Sequence, residues 1–377
     1  MEKRKIKKLG IETSLLGFGC MRFPTTKDGK IDEKTAMQML ELAYENGVNY
    51  FDTAYVYHNG ESEVFTGKVL DRFPRHTYYL ATKLPVWEVN KPEDVERLLD
   101  EQLTKLHKDY IDFYLLHALD GARWDKMVEL GVPEICEKMK EKGKIKYLGF
   151  SFHDDYSAFE KILTARDWDF CQIQLNYMDI DTQAGLKGYR LAEERNVPMI
   201  IMEPLKGSKL AVLPDEIEKI FKKAKPDKSV ASWALRWVAT KPNIMTVLSG
   251  MSNMEQTIDN LDTFIHFEPM STQENNIVMK AAATIRKRVA NECTECGYCM
   301  PCPAGVNIPQ NFHIWNQYHM YMNAGGLNWM WNNEIGDDQK ADKCIKCGKC
   351  ETLCPQKIAI REDLEKILKE VSCILGE

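Results

Sequence analysis

Eight short runs rich in β-branched and aromatic residues recur through the first stretch of about 265 residues, each followed by a longer stretch with apolar positions at helical spacing. Alternation of this kind builds a parallel sheet with helical crossovers. An opening hairpin, Lys5 to Leu9 and Glu12 to Leu15, comes first. The strand candidates are then Leu16–Met21, Asn49–Ala54, Tyr78–Lys83, Ile111–His117, Lys146–Phe152, Phe170–Leu175, Pro198–Met202 and Ile244–Gly250. In the helical stretch Asp32–Asn46, Ala36, Met39, Leu40, Leu42 and Ala43 keep near-helical spacing. The others are Ser62–Asp71, Pro92–His107, Arg123–Lys142, Tyr156–Arg166, Gln183–Arg195, Ser229–Thr240 and Met254–Phe264. Eight strands and eight helices fit an α/β fold of the (β/α)8, TIM-barrel class. An open doubly wound sheet is the alternative, but no G-x-G-x-x-G follows the first strand.

A barrel takes about 250 residues, so a chain of 377 leaves more than a hundred for a second module. A helix-like segment from Thr272 to Val289, closing on Arg286-Lys287-Arg288, reads as the connection. The division expected is therefore a barrel over 1–268, a helical linker over 269–291 and a separate domain over 292–377. Hydrophobic residues at 44% and charged residues at 28% describe a chain able to bury a core. The net charge of −6 offers no general attraction for nucleic acid. No apolar run approaches the roughly 18 residues of a membrane span. The basic start Met1-Glu2-Lys3-Arg4-Lys5 has no hydrophobic stretch behind it, so a cytoplasmic location is expected.

Twelve cysteines occur, and eight of them lie between Cys293 and Cys354. Grouped cysteines in a reducing compartment point to metal rather than disulfides. The first group spaces Cys293, Cys296, Cys299 and Cys302 two residues apart and ends in Pro303. The second places Cys344, Cys347 and Cys350 two apart, then Cys354 after three, and ends in Pro355. That second spacing resembles bacterial-type [4Fe–4S] ferredoxins, in which three close thiolates hold one cubane and the fourth reaches the other. Zinc is the competing metal, but structural zinc needs only four thiolates, usually as distant pairs. The exchange implied by the resemblance puts one cluster on Cys293, Cys296, Cys299 and Cys354. The other falls to Cys344, Cys347, Cys350 and Cys302. The first group departs from the pattern in having two residues, not three, before its last cysteine. The interval of 41 residues between the groups resembles the mainly α-helical ferredoxin modules of flavin- and quinone-linked oxidoreductases. Its aromatic residues, Phe312, Trp315, Tyr318, Tyr321, Trp329 and Trp331, read as helical core or domain interface. Cys20, Cys136, Cys171 and Cys373 read as small hydrophobes outside any ligand set.

Barrel enzymes place reactive side chains at the C-terminal ends of their strands. Strand two ends in Asp52 and runs on to Tyr57, strand three ends in Lys83, and strand four in His117. Together they compose a proton-donating site. A tyrosine with an ordinary pKa of about 10 acts as an acid near neutrality when a cation stabilises its anion. Lys83 supplies that cation, Asp52 keeps Lys83 charged and oriented, and His117 hydrogen-bonds a substrate carbonyl. Hydride addition to an aldehyde or ketone suits such a site, because the negative charge developing on oxygen must be met by a proton.

With these residues in place, the chain from Lys5 to about Phe264 resembles the aldo-keto reductase superfamily. The D-T-A-x-x-Y run with Gly60 and Glu63 behind it, the T-K ending strand three and the L-L-H ending strand four match its signature. The resemblance implies that Asp52, Tyr57, Lys83 and His117 form the catalytic tetrad, acting on a small-molecule carbonyl or alcohol. It also implies an extended nicotinamide cofactor, NADP(H) by family habit with NAD(H) open. Its carboxamide site matches Ser151 and Gln172; Phe152 stands where relatives often have Asn. The position of the family's stacking ring falls at Met202. The pyrophosphate and adenosine end matches Leu205, Lys206 and Gly207, then Ser249, Gly250 and Met251, followed by Gln256, Asp259 and Asn260. No Lys or Arg lies between Ser249 and Asn260 to meet a 2′-phosphate. Trp87 reads equally as a substrate-pocket wall and as a packing residue of the rim.

Nicotinamide passes two electrons as hydride and each cubane passes one, a mismatch usually resolved by flavin. The chain has no flavin fingerprint. The expected function is an NAD(P)H-dependent aldo-keto reductase-type oxidoreductase whose two 4Fe-4S clusters exchange electrons with a ferredoxin or flavoprotein partner. One alternative is a carbonyl reductase whose clusters are structural or sensory. A non-catalytic barrel serving as a redox-sensing partner subunit is the other.

Overall fold

Buried on both faces, parallel barrel strands read as near-continuous apolar runs, and the sequence supplies them. In the computed structural model, which describes residues 1–376, ten strands occur: β1 Lys3–Ile6, β2 Ile11–Ser14, β3 Leu16–Gly19, β4 Tyr50–Asp52, β5 Tyr79–Leu84, β6 Ile111–Leu119, β7 Ile145–Phe152, β8 Phe170–Gln174, β9 Met199–Met202 and β10 Ile244–Ser249. Among the described residues β3 to β10 close into a barrel of eight parallel strands in the order β10-β3-β4-β5-β6-β7-β8-β9. The expected (β/α)8 architecture is present. β1 and β2 pair antiparallel, Lys3 opposite Ser14, two residues earlier at the start than the sequence suggested. Ile6, Leu9 and Ile11 of this hairpin pack against Tyr50, Phe113, Phe170 and Met245 inside the barrel. Those four lie at or near the strands' N-terminal ends, so the hairpin plugs the end opposite the predicted site.

The crossover helices are α1 Glu33–Glu45, α2 Glu61–Leu70, α3 Glu93–Leu106, α4 Gly121–Glu129, α5 Val132–Glu141, α6 Tyr156–Thr164 and α7 Gly185–Glu194. Side-chain caps fix several starts: Asp32 accepts from the Thr35 N–H, Asp120 from Arg123 and Asp155 from Ala158. The single helix expected over 123–142 is two. Gly131 adopts a left-handed φ of 65° and Pro133 occupies the first turn of α5, so the ladder breaks between them. Gly67 lets α2 lie on α3, since a Cβ there would stand 2.4 Å from the Leu106 carbonyl oxygen.

The chain continues through α8 Asp215–Ala224, α9 Val230–Ala239, α10 Met254–Ile265, α11 Thr272–Arg286, α12 Ile308–Tyr321, α13 Ala324–Asn333, α14 Lys349–Leu353 and α15 Ile360–Leu375. It divides into two compact units. One is Met1–Leu210 with Lys228–Asn275; the other joins Ala211–Asp227 to the chain from Asn276 on. The sequence pattern gave no sign of α8, which belongs to the second unit, where Glu216 pairs with Arg288. That unit is helical, as expected. Its core gathers Ile308, Phe312, Ile314 and Trp315 of α12, Leu327, Met330 and Trp331 of α13, and Ile360, Leu364, Ile367 and Val371 of α15. Of the interval's rings, Phe312, Trp315, Tyr321 and Trp331 are buried, whereas Trp329 is 58% exposed and belongs to no core. Among the described residues no helix is long and apolar enough to cross a membrane.

Candidate active site and cysteine hollows

Parallel ladders align the strand ends and so decide which side chains meet. Asp52 closes β4 opposite Gly19, and Lys83 of β5 stands opposite Leu115, two residues before His117. Beyond β4 the chain passes Tyr57 and turns through three consecutive left-handed residues, His58, Asn59 and Gly60, at φ 51°, 56° and 91°. Two of the three are non-glycine, and such conformations persist only where the surroundings hold them. The turn pins Tyr57 at the mouth and launches α2.

The four residues of the predicted site come together. The Lys83 ammonium donates to Asp52 Oδ1 at 2.6 Å, to the Thr53 carbonyl at 2.7 Å and to the Tyr57 hydroxyl at 3.3 Å. Lys83 and Asp52 are buried. The His117 ring meets the Tyr57 ring edge-on with centroids 6.2 Å apart, and the Trp87 ring lies 5.1 Å from His117 on another side. Trp87 therefore borders the site. Asp52 Oδ2 and His117 Nδ1 are buried without a hydrogen-bond partner.

Charge follows from this geometry. Burial works against the Lys83 ammonium, but Asp52 and Tyr57 outweigh it, so its pKa rises above the ordinary lysine value. Burial raises the Asp52 carboxyl against the pull of Lys83. It also raises Tyr57, again opposed by Lys83, so the phenol keeps its proton at neutral pH. Burial, reinforced by the Lys83 charge, drives His117 well below the usual imidazole range. Its ring is therefore neutral and able to donate one hydrogen bond.

Behind Lys83 lies a polar cluster that the sequence reading only touched at Glu63. Glu63 Oε1 accepts from Thr82 at 2.6 Å and from Gln102 at 2.7 Å, and Gln102 also donates to the Lys83 carbonyl at 3.0 Å. Tyr114 donates to Gln102 at 2.8 Å. Burial raises the Glu63 carboxyl. The overlooked signal was Gln102, a polar residue on the buried face that Leu98, Leu99, Leu103 and Leu106 give to α3.

At the candidate cofactor end, Ser151 of β7 stands opposite Gln172 of β8. Ser151 Oγ accepts from the Ala118 N–H at 2.8 Å, which leaves its own hydrogen to donate. Gln172 Oε1 is buried without a partner, and its Nε2 contacts the Met202 sulfur at 3.4 Å. One free donor beside one orphaned acceptor is the complement of a carboxamide. Phe152 points outward and packs on Phe159, away from the mouth. The Leu205 carbonyl closes a turn with the Leu210 N–H, and Gly207 has a φ of 59°. Lys206 is tied to Asp179 at 2.6 Å. Ser249 accepts from Asn260 at 2.9 Å, Gln256 accepts from the Ser252 N–H at 2.8 Å, and Met251 is buried. Asp259 holds Ser229, the cap of α9, at 2.7 Å. Arg22 was missed, because it comes from the loop after β3. A Cβ on Gly250 would lie 2.8 Å from Arg22 Cγ, and among the described residues the Arg22 guanidinium makes no hydrogen bond or ion pair.

The eight clustered cysteines ring two hollows in the second unit. One is lined by Cys293, Cys296, Cys299 and Cys354. Cys302, Cys344, Cys347 and Cys350 line the other, with Cys299 also on its wall. Each hollow thus draws thiols from both sequence groups, three and one around the first and, with Cys299 shared, three and two around the second. Among the described residues, no three His, Cys, Asp or Glu side chains are gathered as for a single metal ion. Cys20, Cys136 and Cys171 are buried apart from both hollows, and Cys373 is exposed.

Residues 15–283 match the family model described as the aldo/keto reductase family, and residues 292–359 match a 4Fe-4S dicluster domain. Relatives include an uncharacterized oxidoreductase, YqkF, of Bacillus subtilis, 26% identical over 69% of this chain and 90% of its own. L-galactose dehydrogenase of Arabidopsis thaliana is 24% identical over 74% and 92%, and the NADH-specific methylglyoxal reductase of Escherichia coli 22% over 68% and 89%. Among solved structures, aldo-keto reductase AKR11C1 of Bacillus halodurans in its holo form is 25% identical with a TM-score of 0.63, covering 74% of this chain and 96% of that one. An aldo-keto reductase from Klebsiella pneumoniae in complex with NADPH, 20% identical, covers 74% and 95% with a TM-score of 0.61.

Proposed function

The chain belongs to the aldo/keto reductase family, and from that membership we propose that its barrel interconverts a small-molecule carbonyl and alcohol with a nicotinamide dinucleotide while its C-terminal module carries two [4Fe–4S] clusters for single-electron transfer. The observation that carries the barrel half is the Lys83 ammonium, 2.6 Å from Asp52 and 3.3 Å from the Tyr57 hydroxyl, beside a neutral His117. When bound, the dinucleotide supplies or accepts the hydride. His117 donates a hydrogen bond to the carbonyl oxygen and fixes its direction. Tyr57 gives that oxygen its proton as negative charge develops there, and Lys83 stabilises the phenolate left behind. Asp52 holds Lys83 in its charged form. Ser151 and Gln172 would hold the carboxamide, and Arg22 would meet phosphate charge. An E. coli relative is described as NADH-specific and a K. pneumoniae neighbour was solved with NADPH; the free Arg22 favours NADP(H) here. Asp259 accepts from Ser229 through Oδ2 and keeps Oδ1 for the adenosine end, where it stays among the proposed contacts with Gln256 and Asn260.

The proposed exchange gives each hollow one cluster. A cubane is held at its corners by thiolates around a space, whereas zinc draws four sulfurs to about 2.3 Å from a single point. Two hollows, each bordered by four or five cysteine side chains, suit the first arrangement. The electron partner in this reading is a ferredoxin or flavoprotein; Lys349 and Arg361 line the Cys344 hollow, and Arg361 is paired with Glu351. A bracing role for the clusters is the second reading, because Cys354 joins the unit's core and five other ligands pack on it. Anaerobic titration of reconstituted holoprotein with NADPH and with NADH tests the proposal. Nucleotide oxidation is expected on adding an aldehyde, and paramagnetic signals from two clusters on reduction. Zinc in place of iron and sulfide, or no nucleotide oxidation with any aldehyde, would overturn the corresponding half.

A further inference from the structure

Past His117 the chain makes a tight return that carries a second cation to the mouth. Ala118 takes a left-handed φ of 52°, its N–H goes to Ser151, and its carbonyl accepts from Arg123 Nη1 at 2.7 Å. Asp120 caps α4 by accepting the Arg123 N–H at 2.7 Å, which fixes the backbone from which the side chain springs. The guanidinium carbon stands 5.9 Å from the centre of the Trp87 ring, itself 5.1 Å from His117. The side chain is 43% exposed, and its one carboxylate neighbour, Asp120, lies 3.5 Å from Nε. Among the described residues Nη2 has no acceptor, and Nη1 has the Ala118 carbonyl alone. A guanidinium carries a fork of donors that matches an oxyanion with two oxygens. This one presents an open edge to solvent beside the Trp87 ring, whose own neighbour is the imidazole that would meet the carbonyl. Its charge also helps to keep His117 neutral.

We propose that Arg123 makes the barrel selective for carbonyl substrates bearing an anionic group, a carboxylate or phosphate, at the end remote from the reacting carbon, with Trp87 lining the path between. The inference rests on the reduction proposed above and names its substrate class. An ammonium would supply charge without the paired geometry, so lysine should replace arginine only in part. A neutral aldehyde leaves the guanidinium solvated and gains nothing from it.

The test compares kcat/KM of the reconstituted holoprotein for matched aldehydes: succinate semialdehyde against butyraldehyde, and glyceraldehyde 3-phosphate against glyceraldehyde. A charge-assisted hydrogen bond predicts a preference of about ten- to hundredfold for at least one charged member. The two pairs separate carboxylate from phosphate. In Arg123→Gln the ratio should fall towards one, chiefly through KM of the charged aldehyde, and Arg123→Lys should restore part of it. Raising the salt concentration with the wild-type protein should shrink the preference as well. Reduction of the neutral aldehydes with no preference for either charged partner would overturn the role of Arg123 and leave the reductase standing. So would a ratio unchanged in Arg123→Gln. Absence of turnover with all four, while nucleotide binds, would remove both readings.

Discussion

Replacing Asp52 by Asn removes one charge from a buried pair and leaves its shape. Lys83 is fully buried, and among the described residues Asp52 Oδ1 is its one anionic partner at hydrogen-bond distance, 2.6 Å away. At an effective dielectric of about 20, unit charges at that distance attract by roughly 6 kcal/mol. The amide oxygen of Asn still accepts a hydrogen bond, returning about 1 to 1.5 kcal/mol. A loss of about 3–5 kcal/mol is expected at pH 7, within the range for breaking a buried pair. The pH dependence carries a further signature. In the wild type the Lys83 pKa is raised above 10.5, so its contribution is complete below 10.5 and is lost as pH climbs through the raised value. In Asp52→Asn the larger of the two influences opposing burial is gone and Tyr57 alone of the pair remains, so the Lys83 pKa falls and folding expels a proton. The deficit should therefore shrink with rising pH up to about 10.5, by up to about 1.4 kcal/mol per unit. Urea unfolding of holoprotein from pH 7 to 10, followed by circular dichroism with cluster absorbance read in parallel, measures this. A deficit below about 1 kcal/mol, or one that stays constant with pH, would refute the buried ion pair.

The depressed His117 and raised Tyr57 predict that kcat/KM for a neutral aldehyde is flat from pH 6 to 8. Neither group changes protonation there, so an inflection near 6.5 would contradict a buried imidazole. Cys302→Ala should disable the cluster held by Cys344, Cys347 and Cys350, and Cys354→Ala the one held by Cys293, Cys296 and Cys299. Paramagnetic resonance of the two variants should show complementary losses; the same cluster lost from both would refute the exchange. Gly67→Ala would drive a methyl into the Leu106 backbone, 2.4 Å away, costing about 2 kcal/mol or more on unfolding. An unchanged stability would mean that α2 and α3 lie further apart.

The barrel was legible because its strands announce themselves twice, as apolar runs and by the polar residue that ends each of several. Asp52, Lys83 and His117 could be placed at one mouth before any contact was known, since parallel strands of one barrel share a C-terminal face. The spacing of the cysteines likewise singled out the eight thiols that line the two hollows. What the sequence concealed was set by contacts between distant segments. Arg22 and Gly250 are far apart in the chain, yet the ladder of β3 with β10 brings them together. The bond from Ser229 to Asp259, which ties the start of α9 to α10, likewise joins residues 30 positions apart. The break at Gly131 was written locally and was overridden by the continuous apolar periodicity on either side. Trp329 is exposed although its neighbours Met330 and Trp331 are buried, because one face of α13 packs and the other does not.

Proton donation from Tyr57, made affordable by its lysine neighbour, is most directly tested in a single turnover. Holoprotein loaded with NADPH is mixed with excess aldehyde in a stopped-flow instrument, and nucleotide absorbance is followed for wild type and Tyr57→Phe. Loss of a positioned acid predicts a rate constant about 10²- to 10⁴-fold lower in the variant, with nucleotide affinity changed less than about threefold. A variant that oxidises its nucleotide within about threefold of the wild-type rate would contradict the assignment.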